Sequence, residues 1–486
     1  MSAASTAPQD LGGPPRVDAV VAVLAFGGIV VSVMNTLVVP LISQLPTLLS
    51  TSASDASWAI TATLLAGAVA TPVIGRLGDM FGKRRMLLIS LCVLLAGSVV
   101  CALSDSLAPM VVGRALQGCG VAVIPLGISI MRDELPAERL GSAMALMSSS
   151  LGVGGALGLP GAALLAQHAD WHLLFWASAG LGAVVIVLVT VFVPESKVRS
   201  GGRFDVIGAL GLSVGLVCLL LAVSKGADWG WGSTLTDGLF SVAVIVLPLW
   251  GRWELRTAQP LVDLRTTARR QVLLTNLASV VLGFAMYAMS LVLPQLIQLP
   301  EATGYGLGRS MLVAGLCLAP GGLVMMLISP LSAKITATRG PRISLMLGAV
   351  VVSAGYGMGT VMLDAVWQLV LVGSVIAAGI GLAYGAMPAL IMSAVPLSET
   401  ASANGLNSLM RSIGTSSSAA VVGVVLAHMT TPFGSLSLPS EAGFRTAMII
   451  GCGAAAAAAV LTVFLPGRSR PAANAPVGAA REHSVK

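Results

Sequence analysis

The chain has 486 residues, of which 56% are hydrophobic and only 10% are charged, and its formal net charge is +7. Soluble globular proteins carry about 25% charged residues, so this composition excludes a soluble globular domain. In a soluble protein such a charge would point to nucleic acid. Here the basic residues follow a membrane topology instead, and no nucleic-acid partner is expected.

Fourteen stretches are long and apolar enough to cross a membrane, because a span needs about 20 mostly apolar residues. They lie at about residues 19–42, 56–75, 86–104, 108–131, 141–166, 172–193, 205–224, 234–251, 271–299, 309–333, 343–363, 366–393, 403–428 and 443–465. Only helices and closed barrels satisfy their backbone hydrogen bonds in lipid, and these evenly apolar segments exclude the alternating strands of a barrel. The sequence predicts an all-α polytopic membrane protein.

The polar N-terminal residues precede a span-length apolar run without an obvious cleavage site, so no cleavable signal peptide is expected. The six cysteines all lie within the predicted spans, and none has the spacing of metal ligands. We interpret these cysteines as packing residues, and no metal site is expected.

The basic residues predict the orientation of the spans. If both termini are cytoplasmic, 22 of the 27 Lys and Arg residues fall inside, three fall outside, and two, Arg114 and Arg411, lie within spans. Cytoplasmic loops collect Lys and Arg, so this split supports both the orientation and the even number of spans. The protein is expected to be a multi-pass component of a bacterial cytoplasmic membrane, in contact with the lipid bilayer.

Three segments of the first half of the chain recur in order in the second half. The matching pairs are 37–46 with 291–300, 71–85 with 329–343, and 134–155 with 394–415, at offsets of 254, 258 and 260 residues. The repeat predicts two six-helix halves, the architecture of a secondary transporter with its site between the halves. The predicted divisions are a cytoplasmic tail (1–18), an N-terminal bundle (19–193), a linker with two extra spans (194–270), a C-terminal bundle (271–465) and a disordered cytoplasmic tail (466–486).

The predicted cytoplasmic loop between spans two and three reads GRLGDMFGKRR, residues 75–85. Glycines permit a tight turn close to neighbouring helices, and Asp79 can accept hydrogen bonds at a helix end or pair with a basic group. A cluster of such contacts can lock and release one side of the bundle. The candidate gate residues are Gly75, Asp79, Gly82, Lys83 and Arg84.

This loop resembles the G-x-L-x-D-x-x-G-R/K-R/K signature of the major facilitator superfamily. RALQGCGVA at 114–122 resembles the R-x-x-Q-G-x-G motif of the same family. GVGGALGLPG at 152–161 resembles its G-x-x-x-G-P antiporter motif, although Leu159 stands where proline is usual. The matching residues of this helix motif are Gly154, Gly158 and Pro160, and generic helix packing is the alternative interpretation.

The two extra spans are similar to those of the fourteen-span drug:proton antiporter branch. Asp205 and Gly208 open the first of them, and a Gly-Trp cluster at 229–232 follows it. The resemblance covers about residues 19–465. It implies a major facilitator fold of two six-helix repeats plus two linker helices, and transport driven by the proton gradient with no bound cofactor.

Polar residues within the spans are the candidates for substrate binding or coupling, because placing them in a membrane is expensive. These candidates are Asn35, Arg114, Gln117, Asn404, Asn407 and Arg411. Arg411 belongs to a polar stripe whose steps of three and four residues place it on one helix face. Such a stripe either lines a cavity or makes interhelical hydrogen bonds, and the sequence leaves both alternatives open.

The resemblance leaves the coupling group open. The usual aspartate of span one is replaced by Val31, and no acidic residue falls at a mid-membrane position. Coupling can instead use a carboxylate near the cytoplasmic face or a histidine near the outer face. These alternatives are Asp18, Asp79, Asp205, His168, His172 and His428. Two buried arginines without acidic partners would also suit an anionic or amphiphilic substrate.

Two functions fit these observations best. One is export of drug-like or amphiphilic compounds, since an apolar cavity with few polar groups suits such ligands. The other is dedicated export of a single endogenous metabolite or lipid. A non-transporting membrane sensor or scaffold is not favoured, because it would carry a sizeable soluble appendage and this sequence has only short tails. An enzyme would carry a nucleophile–base set, a metal cluster or a nucleotide loop, and none is recognisable, so no enzyme is expected. The chain is expected to act as a monomer.

Overall fold

The computed structural model describes residues 14–38, 41, 44–168, 170–196, 198–433 and 436–466. Most of the predicted N-terminal tail and residues 467–486 of the predicted disordered tail lie outside the described residues. The first helix begins at Pro14, earlier than the predicted start at residue 19. Prolines are well accommodated in the first turn of a helix, where an amide would have no intrahelical partner.

The described residues fold almost entirely into α-helices, which run antiparallel through one bundle. They are α1 (Pro14–Thr36), α2 (Leu45–Leu48), α3 (Ala53–Ala56), α4 (Trp58–Phe81), α5 (Lys83–Ala102), α6 (Leu107–Gly118), α7 (Val123–Glu134), α8 (Ala137–His168), α9 (His172–Phe192), α10 (Val206–Trp229), α11 (Thr234–Arg256), α12 (Leu264–Thr267), α13 (Arg270–Gln298), α14 (Met311–Arg339), α15 (Pro341–Gly359), α16 (Val366–Met392), α17 (Thr400–His428) and α18 (Glu441–Val463).

A short antiparallel hairpin is an addition that the sequence analysis does not predict. Its strands are β1 (Thr430–Phe433) and β2 (Leu436–Pro439), between α17 and α18. The Tyr305 hydroxyl donates a hydrogen bond to the carbonyl oxygen of Pro439 at 2.6 Å. This bond attaches the hairpin to the segment between α13 and α14.

Fourteen helical stretches of the described residues are long and apolar enough to cross a membrane, which confirms the predicted number. Span four is broken into α6, a 3₁₀ turn at Cys119–Ala122, and α7. Pro125 lacks the amide that would bond to the carbonyl oxygen of residue 121. A Cβ at Gly118 would overlap the carbonyl oxygen of Thr63, so glycine lets the break lie close against α4.

Separate apolar cores mark the two six-helix halves. The core of the N-terminal half runs from Val20 to Val193 and also includes Met392 and Ala401 of the other half, and the core of the C-terminal half runs from Ala278 to Leu465. The joint between the second and third helix of each half is a single glycine: Gly82 with φ +116° and Gly340 with φ +91°. Only glycine adopts such angles without steric cost. The glycine that recurs in the sequence therefore makes the same turn in both halves.

A second repeated glycine packs equivalent helices together. A Cβ at Gly154 would lie 2.7 Å from the carbonyl oxygen of Ile29 in α1. A Cβ at Gly414 would overlap the carbonyl oxygen of Val280 in α13. The helices α1 and α13 are the first of the two halves, and α8 and α17 are the fifth. Equivalent helices of each half therefore pack together through equivalent glycines. Small residues at helix contacts allow backbones to approach closely in membranes.

The inserted helix α10 lies against the seam between the halves. Its residues Leu212 and Leu216 share an apolar cluster with Ala68 of α4 and with Leu406 and Leu409 of α17. The second inserted helix, α11, packs on α10 and leaves most of its surface uncovered by protein. The predicted domain boundaries within this linker stay predictions.

Polar contacts between connecting segments define the two ends of the bundle. At one end, called the basic end, Arg139 pairs with Asp18 at 2.7 Å, and α1 begins there. At the opposite end, Lys225 Nζ donates to the carbonyl oxygen of Ser54 at 2.7 Å. The basic end is the one that the charge distribution predicts to be cytoplasmic.

Replacement of Gly414 by alanine is expected to lower the melting temperature of the purified protein in detergent. The added methyl group overlaps the carbonyl oxygen of Val280. Overpacking of this kind costs roughly 1–3 kcal/mol, which exceeds the gain of about 0.5–1 kcal/mol from removing a helical glycine. The control is Gly423→Ala on the same helix, where an added Cβ meets no atom within 4 Å. Equal melting temperatures for the two variants would contradict the close packing at Gly414.

Candidate functional site

A small cavity lies between the two halves, within the membrane-spanning helices. The N-terminal half contributes Ile124, Pro125, Ile128, Ser148 and Leu151 from α7 and α8. The C-terminal half contributes Tyr384, Pro388, Asn404, Asn407 and Arg411 from α16 and α17. Its free volume of about 10 Å³ has room for a single water molecule. The halves are therefore closed around this point.

Arg411 brings a positive charge to the cavity. Its Nη2 donates to Ser408 Oγ at 2.9 Å, and its Cζ lies 5.2 Å from the centre of the Tyr384 ring. A cation over an aromatic face is attracted by the quadrupole of the ring. No carboxylate of the described residues forms an ion pair with Arg411. The C-terminal wall of the cavity thus carries an unneutralised charge.

The asparagines of α17 line the same cavity and also bond to other helices. Asn407 Nδ2 donates to Asn276 Oδ1 at 2.9 Å and to Ser279 Oγ at 2.6 Å, both on α13. Asn404 Nδ2 lies 3.4 Å from Ser129 Oγ of α7, across the boundary between the halves. The polar stripe combines cavity lining with interhelical hydrogen bonding, the two alternatives that the sequence leaves open.

The other predicted binding candidates lie outside the lining of this cavity. Arg114 is 1% exposed, donates through Nε to a carbonyl oxygen of α4 at 2.9 Å, and donates through Nη1 to Gln117 Oε1 at 2.7 Å. Gln117 Nε2 donates to Ser98 Oγ at 2.8 Å. These bonds tie together the helices of the N-terminal half. Asn35 Nδ2 donates to the carbonyl oxygen of Val31, one turn earlier in α1.

The residues of the predicted helix motif let α8 approach one helix of each half. Gly154 and Gly158 face α1, where a Cβ at Gly158 would overlap Thr36 Oγ1. On the other side, a Cβ at Gly315 of α14 would lie 3.3 Å from the backbone nitrogen of Pro160. The helix α8 therefore packs against α1 of its own half and α14 of the other half, and its motif residues lie at these close contacts.

The candidate gate at the basic end is centred on Asp79, which is fully buried. Asp79 Oδ1 accepts a hydrogen bond from the backbone amide of Ala401 at 3.0 Å, and Oδ2 accepts one from Ser402 at 2.7 Å. Both amides belong to the first turn of α17, where unpaired N–H groups and the helix dipole favour negative charge. A Cβ at Gly75 would lie 2.6 Å from the carbonyl oxygen of Ala401, so glycine permits this approach.

Lys83 extends this contact between the halves. Its buried Nζ donates to Asp133 Oδ2 at 2.6 Å and to Thr400 Oγ1 at 2.9 Å, and it lies 4.0 Å from Asp79 Oδ1. Ser196 Oγ donates to the same oxygen of Asp133. A buried cation thus stands between two carboxylates, and its threonine partner belongs to the opposite half.

The start of α5 is held by an acidic residue from the segment after α9. Glu195 accepts hydrogen bonds from the backbone amides of Arg84 and Arg85, each at 3.2 Å. The Arg84 side chain donates through Nη2 to the carbonyl oxygen of Thr190 at 2.5 Å. Gly82 lies directly under the Glu195 carboxylate, and a Cβ there would approach its Oε1 to 2.7 Å.

Several partners of these sites were not predicted from the sequence. They are Asp133, Glu195, Asn276, Tyr384 and Thr400. Their sequence distances from the residues that they contact are large, up to 317 residues for Thr400 and Lys83. One available signal was the repeated segment that begins at 134 and 394, because it marks the starts of α8 and α17 beside the gate.

The other carboxylates considered for coupling also lie outside the lining of the cavity. Asp205 caps α10 by accepting from the Gly208 amide at 2.8 Å, and it also accepts from Trp253 Nε1 at 3.0 Å. Glu254 of α11 is 1% exposed and accepts from the Val262 amide at 3.3 Å. Glu254 lies three residues beyond the predicted eighth span, 234–251, and its burial is not predicted from the sequence.

The candidate histidines lie at the opposite end. His172 Nε2 is 3.3 Å from the carbonyl oxygen of Ser104 and 3.4 Å from Asp105 Oδ1. His428 Nδ1 lies 3.0 Å from the carbonyl oxygen of Val424 in its own helix. The side chain of His168 is outside the described part of the chain.

Comparison with known proteins adds independent evidence on the family. The family model of the Major Facilitator Superfamily matches residues 24–419. The Multidrug resistance protein Stp of Mycobacterium tuberculosis is 28% identical over 373 residues, which cover 76% of this chain and 68% of that protein. The Tetracenomycin C resistance and export protein of Streptomyces glaucescens is 28% identical over 415 residues, covering 83% of this chain and 75% of that protein.

A solved structure supports the fold. The human organic anion transporter MFSD10 superposes with a TM-score of 0.65 at 15% identity, over 93% of this chain and 100% of that one. This likeness shows the fold alone. Since the family model covers most of the chain, and since the two six-helix halves carry the matching motifs, this multi-pass membrane protein belongs to the Major Facilitator Superfamily.

Proposed function

We propose that this protein exports drug-like or amphiphilic small molecules by alternating access, driven by the proton gradient. The observation that carries the proposal is the cavity between the halves, together with the Asp79 contacts that join the halves at the basic end. Relatives named for multidrug resistance and for tetracenomycin C export support efflux as the direction. The substrate crosses chemically unchanged, and the protein acts as a monomer in a bacterial cytoplasmic membrane with both termini inside.

Alternating access requires that the contact at the basic end break and re-form. Asp79 and Lys83 of the N-terminal half bind Ala401, Ser402 and Thr400 of the C-terminal half. Hydrogen bonds to charged groups contribute roughly 1.5–3 kcal/mol each. A few such bonds match the gap of a few kcal/mol that separates two interconverting states. When they break, the cavity opens toward the basic end and admits substrate from the cytoplasm.

We propose Asp79 as the group through which protons act. A carboxylate at the start of α17 accepts two charge-assisted bonds, and protonation removes the charge that the helix dipole favours. Protonation of Asp79 would therefore weaken the contact and favour opening at the basic end. No acidic side chain of the described residues lines the cavity itself, so this scheme separates the proton site from the substrate site.

The second candidate is dedicated export of one endogenous metabolite or lipid on the same fold. The favouring observation is the Streptomyces glaucescens relative, whose name gives a single compound. The two candidates differ in breadth of substrate and share the site and the gate.

Cells that express the protein are expected to accumulate less of at least one compound from a panel of dyes and antibiotics than empty-vector cells. The panel should include cationic, neutral and anionic members, because a fold does not decide the substrate. A protonophore is expected to remove the difference, since it collapses the proposed driving force. Efflux that survives the protonophore would contradict proton coupling. No efflux of any member would favour a single dedicated substrate.

Asp79→Asn is expected to loosen the first turn of α17, because the amides of Ala401 and Ser402 lose their charged acceptor. The measurement is hydrogen exchange by mass spectrometry on peptides that cover residues 397–409. Loss of one or two charge-assisted bonds predicts roughly ten- to hundredfold faster exchange there. The control is Asp237→Asn, which changes an exposed carboxylate in the first turn of α11. Unchanged exchange in Asp79→Asn would argue against the gate.

A further inference from the structure

The central cavity has two chemically different walls. The N-terminal half supplies mainly apolar side chains, Ile124, Pro125, Ile128 and Leu151. The C-terminal half supplies mainly polar ones, Tyr384, Asn404, Asn407 and Arg411. A molecule held between these walls meets hydrocarbon on one side and hydrogen-bonding groups on the other.

The polar wall has hydrogen-bond donors without partners. A guanidinium carries five N–H donors and no acceptor, and Ser408 is the side-chain partner of Arg411 within the described residues. The Tyr384 hydroxyl is buried and has no partner among the described residues. Behind the lining, Asn276 of α13 accepts a hydrogen bond from Asn407 through Oδ1, and its buried Nδ2 has no partner among the described residues. Buried polar groups are normally paired, so these atoms point to a ligand that accepts hydrogen bonds.

The positive charge of Arg411 in the polar wall indicates which charge the ligand carries. A charged side chain within a membrane is costly unless it is paired. Arg114 meets this requirement through carbonyl and amide oxygens inside its own half. Arg411 has a hydroxyl and an aromatic ring beside it, and no carboxylate of the described part of the chain pairs with it. Its missing partner is an anion, and a planar carboxylate fits a guanidinium through two parallel hydrogen bonds.

We propose that the substrates are amphiphilic anions, bound with the anionic group at Arg411 and Tyr384 and the apolar body against α7 and α8. This inference rests on the proposed transport function and specifies the substrate class of that site. In this arrangement each half recognises a different part of the substrate. A bound amphiphilic anion therefore contacts both halves at once.

The small volume of the cavity agrees with a site that opens before the substrate binds. With room for about one water molecule, the closed state holds no amphiphile. The anion enters when the halves separate, and it replaces the hydrogen bond of Arg411 to the neutral Ser408 hydroxyl by an ion pair with two parallel hydrogen bonds. Both sources of such an anion, aromatic acids and alkyl acids of lipid origin, share the carboxylate that Arg411 would bind.

The test uses purified full-length protein in a non-ionic detergent and equilibrium dialysis with matched acid and amide pairs. The pairs are 2-naphthoate with 2-naphthamide and dodecanoate with dodecanamide, which differ in charge at nearly constant size. The wild type is expected to bind the acid of at least one pair at least tenfold more tightly than its amide. The pair that shows the preference separates an aromatic source from an alkyl source. Lack of any acid preference, or of any binding up to the solubility limit, overturns the proposal.

Variants identify the residues that produce the preference. Arg411→Gln is expected to remove the acid preference, Arg411→Lys to keep part of it, and Tyr384→Phe to weaken acid binding several-fold. The control is Arg445→Gln, which removes a half-exposed arginine that pairs with Glu441 outside the cavity. Melting temperatures identify misfolded variants, and the charge-conserving Arg411→Lys retains the test if Arg411→Gln misfolds. An unchanged preference in folded Arg411→Gln overturns the proposal.

Efflux assays separate failure of this inference from failure of the transport function. Export of cationic and neutral compounds by wild type and Arg411→Gln alike, with no export of acids, would leave the transporter standing and overturn the anion specificity. If the cells exported none of the compounds, the proposed transport function itself would be overturned. Export of acids that is lost in Arg411→Gln and kept in Arg445→Gln is the expected result.

Discussion

The closed arrangement of the two halves depends on one contact, between the Asp79 carboxylate and the first turn of α17. The first amides of any helix lack intrahelical partners, and inside a membrane protein they need a partner from the protein. Here that partner comes from the other half of the molecule.

The approach of α4 to α17 needs Gly75, whose Cβ would otherwise reach the backbone of α17, and it needs Lys83 to balance the buried carboxylates. Closure of the cavity at the basic end follows from this contact. The inserted helix α10 then covers the seam from the lipid side.

Two arginines within the spans show how the same residue type takes opposite roles. Arg114 is satisfied by oxygen atoms of its own half and acts as a tie between helices. Arg411 lies at the boundary between the halves with Tyr384 against it, and no carboxylate that the structure describes pairs with it. The energetic cost of a membrane charge is met within the fold in the first case. In the second case no carboxylate within the described residues meets it, and this difference underlies the proposed anion specificity.

The sequence by itself determined the class and the number of spans, because span length and apolar composition follow directly from bilayer thickness. It determined the internal repeat through three matching segments that recur in the same order. It also marked the glycines that make the turns and the close helix contacts, since Gly82 and Gly340, and Gly154 and Gly414, recur at a nearly constant offset. Only the tertiary structure decided which polar residues meet. Arg114 and Arg411 were equally good candidates for binding, because charged residues are rare within the spans. Only the packing of the helices placed Arg411 in the cavity. The partners Tyr384 and Thr400 are brought in by contacts between helices distant in sequence, which local patterns do not encode.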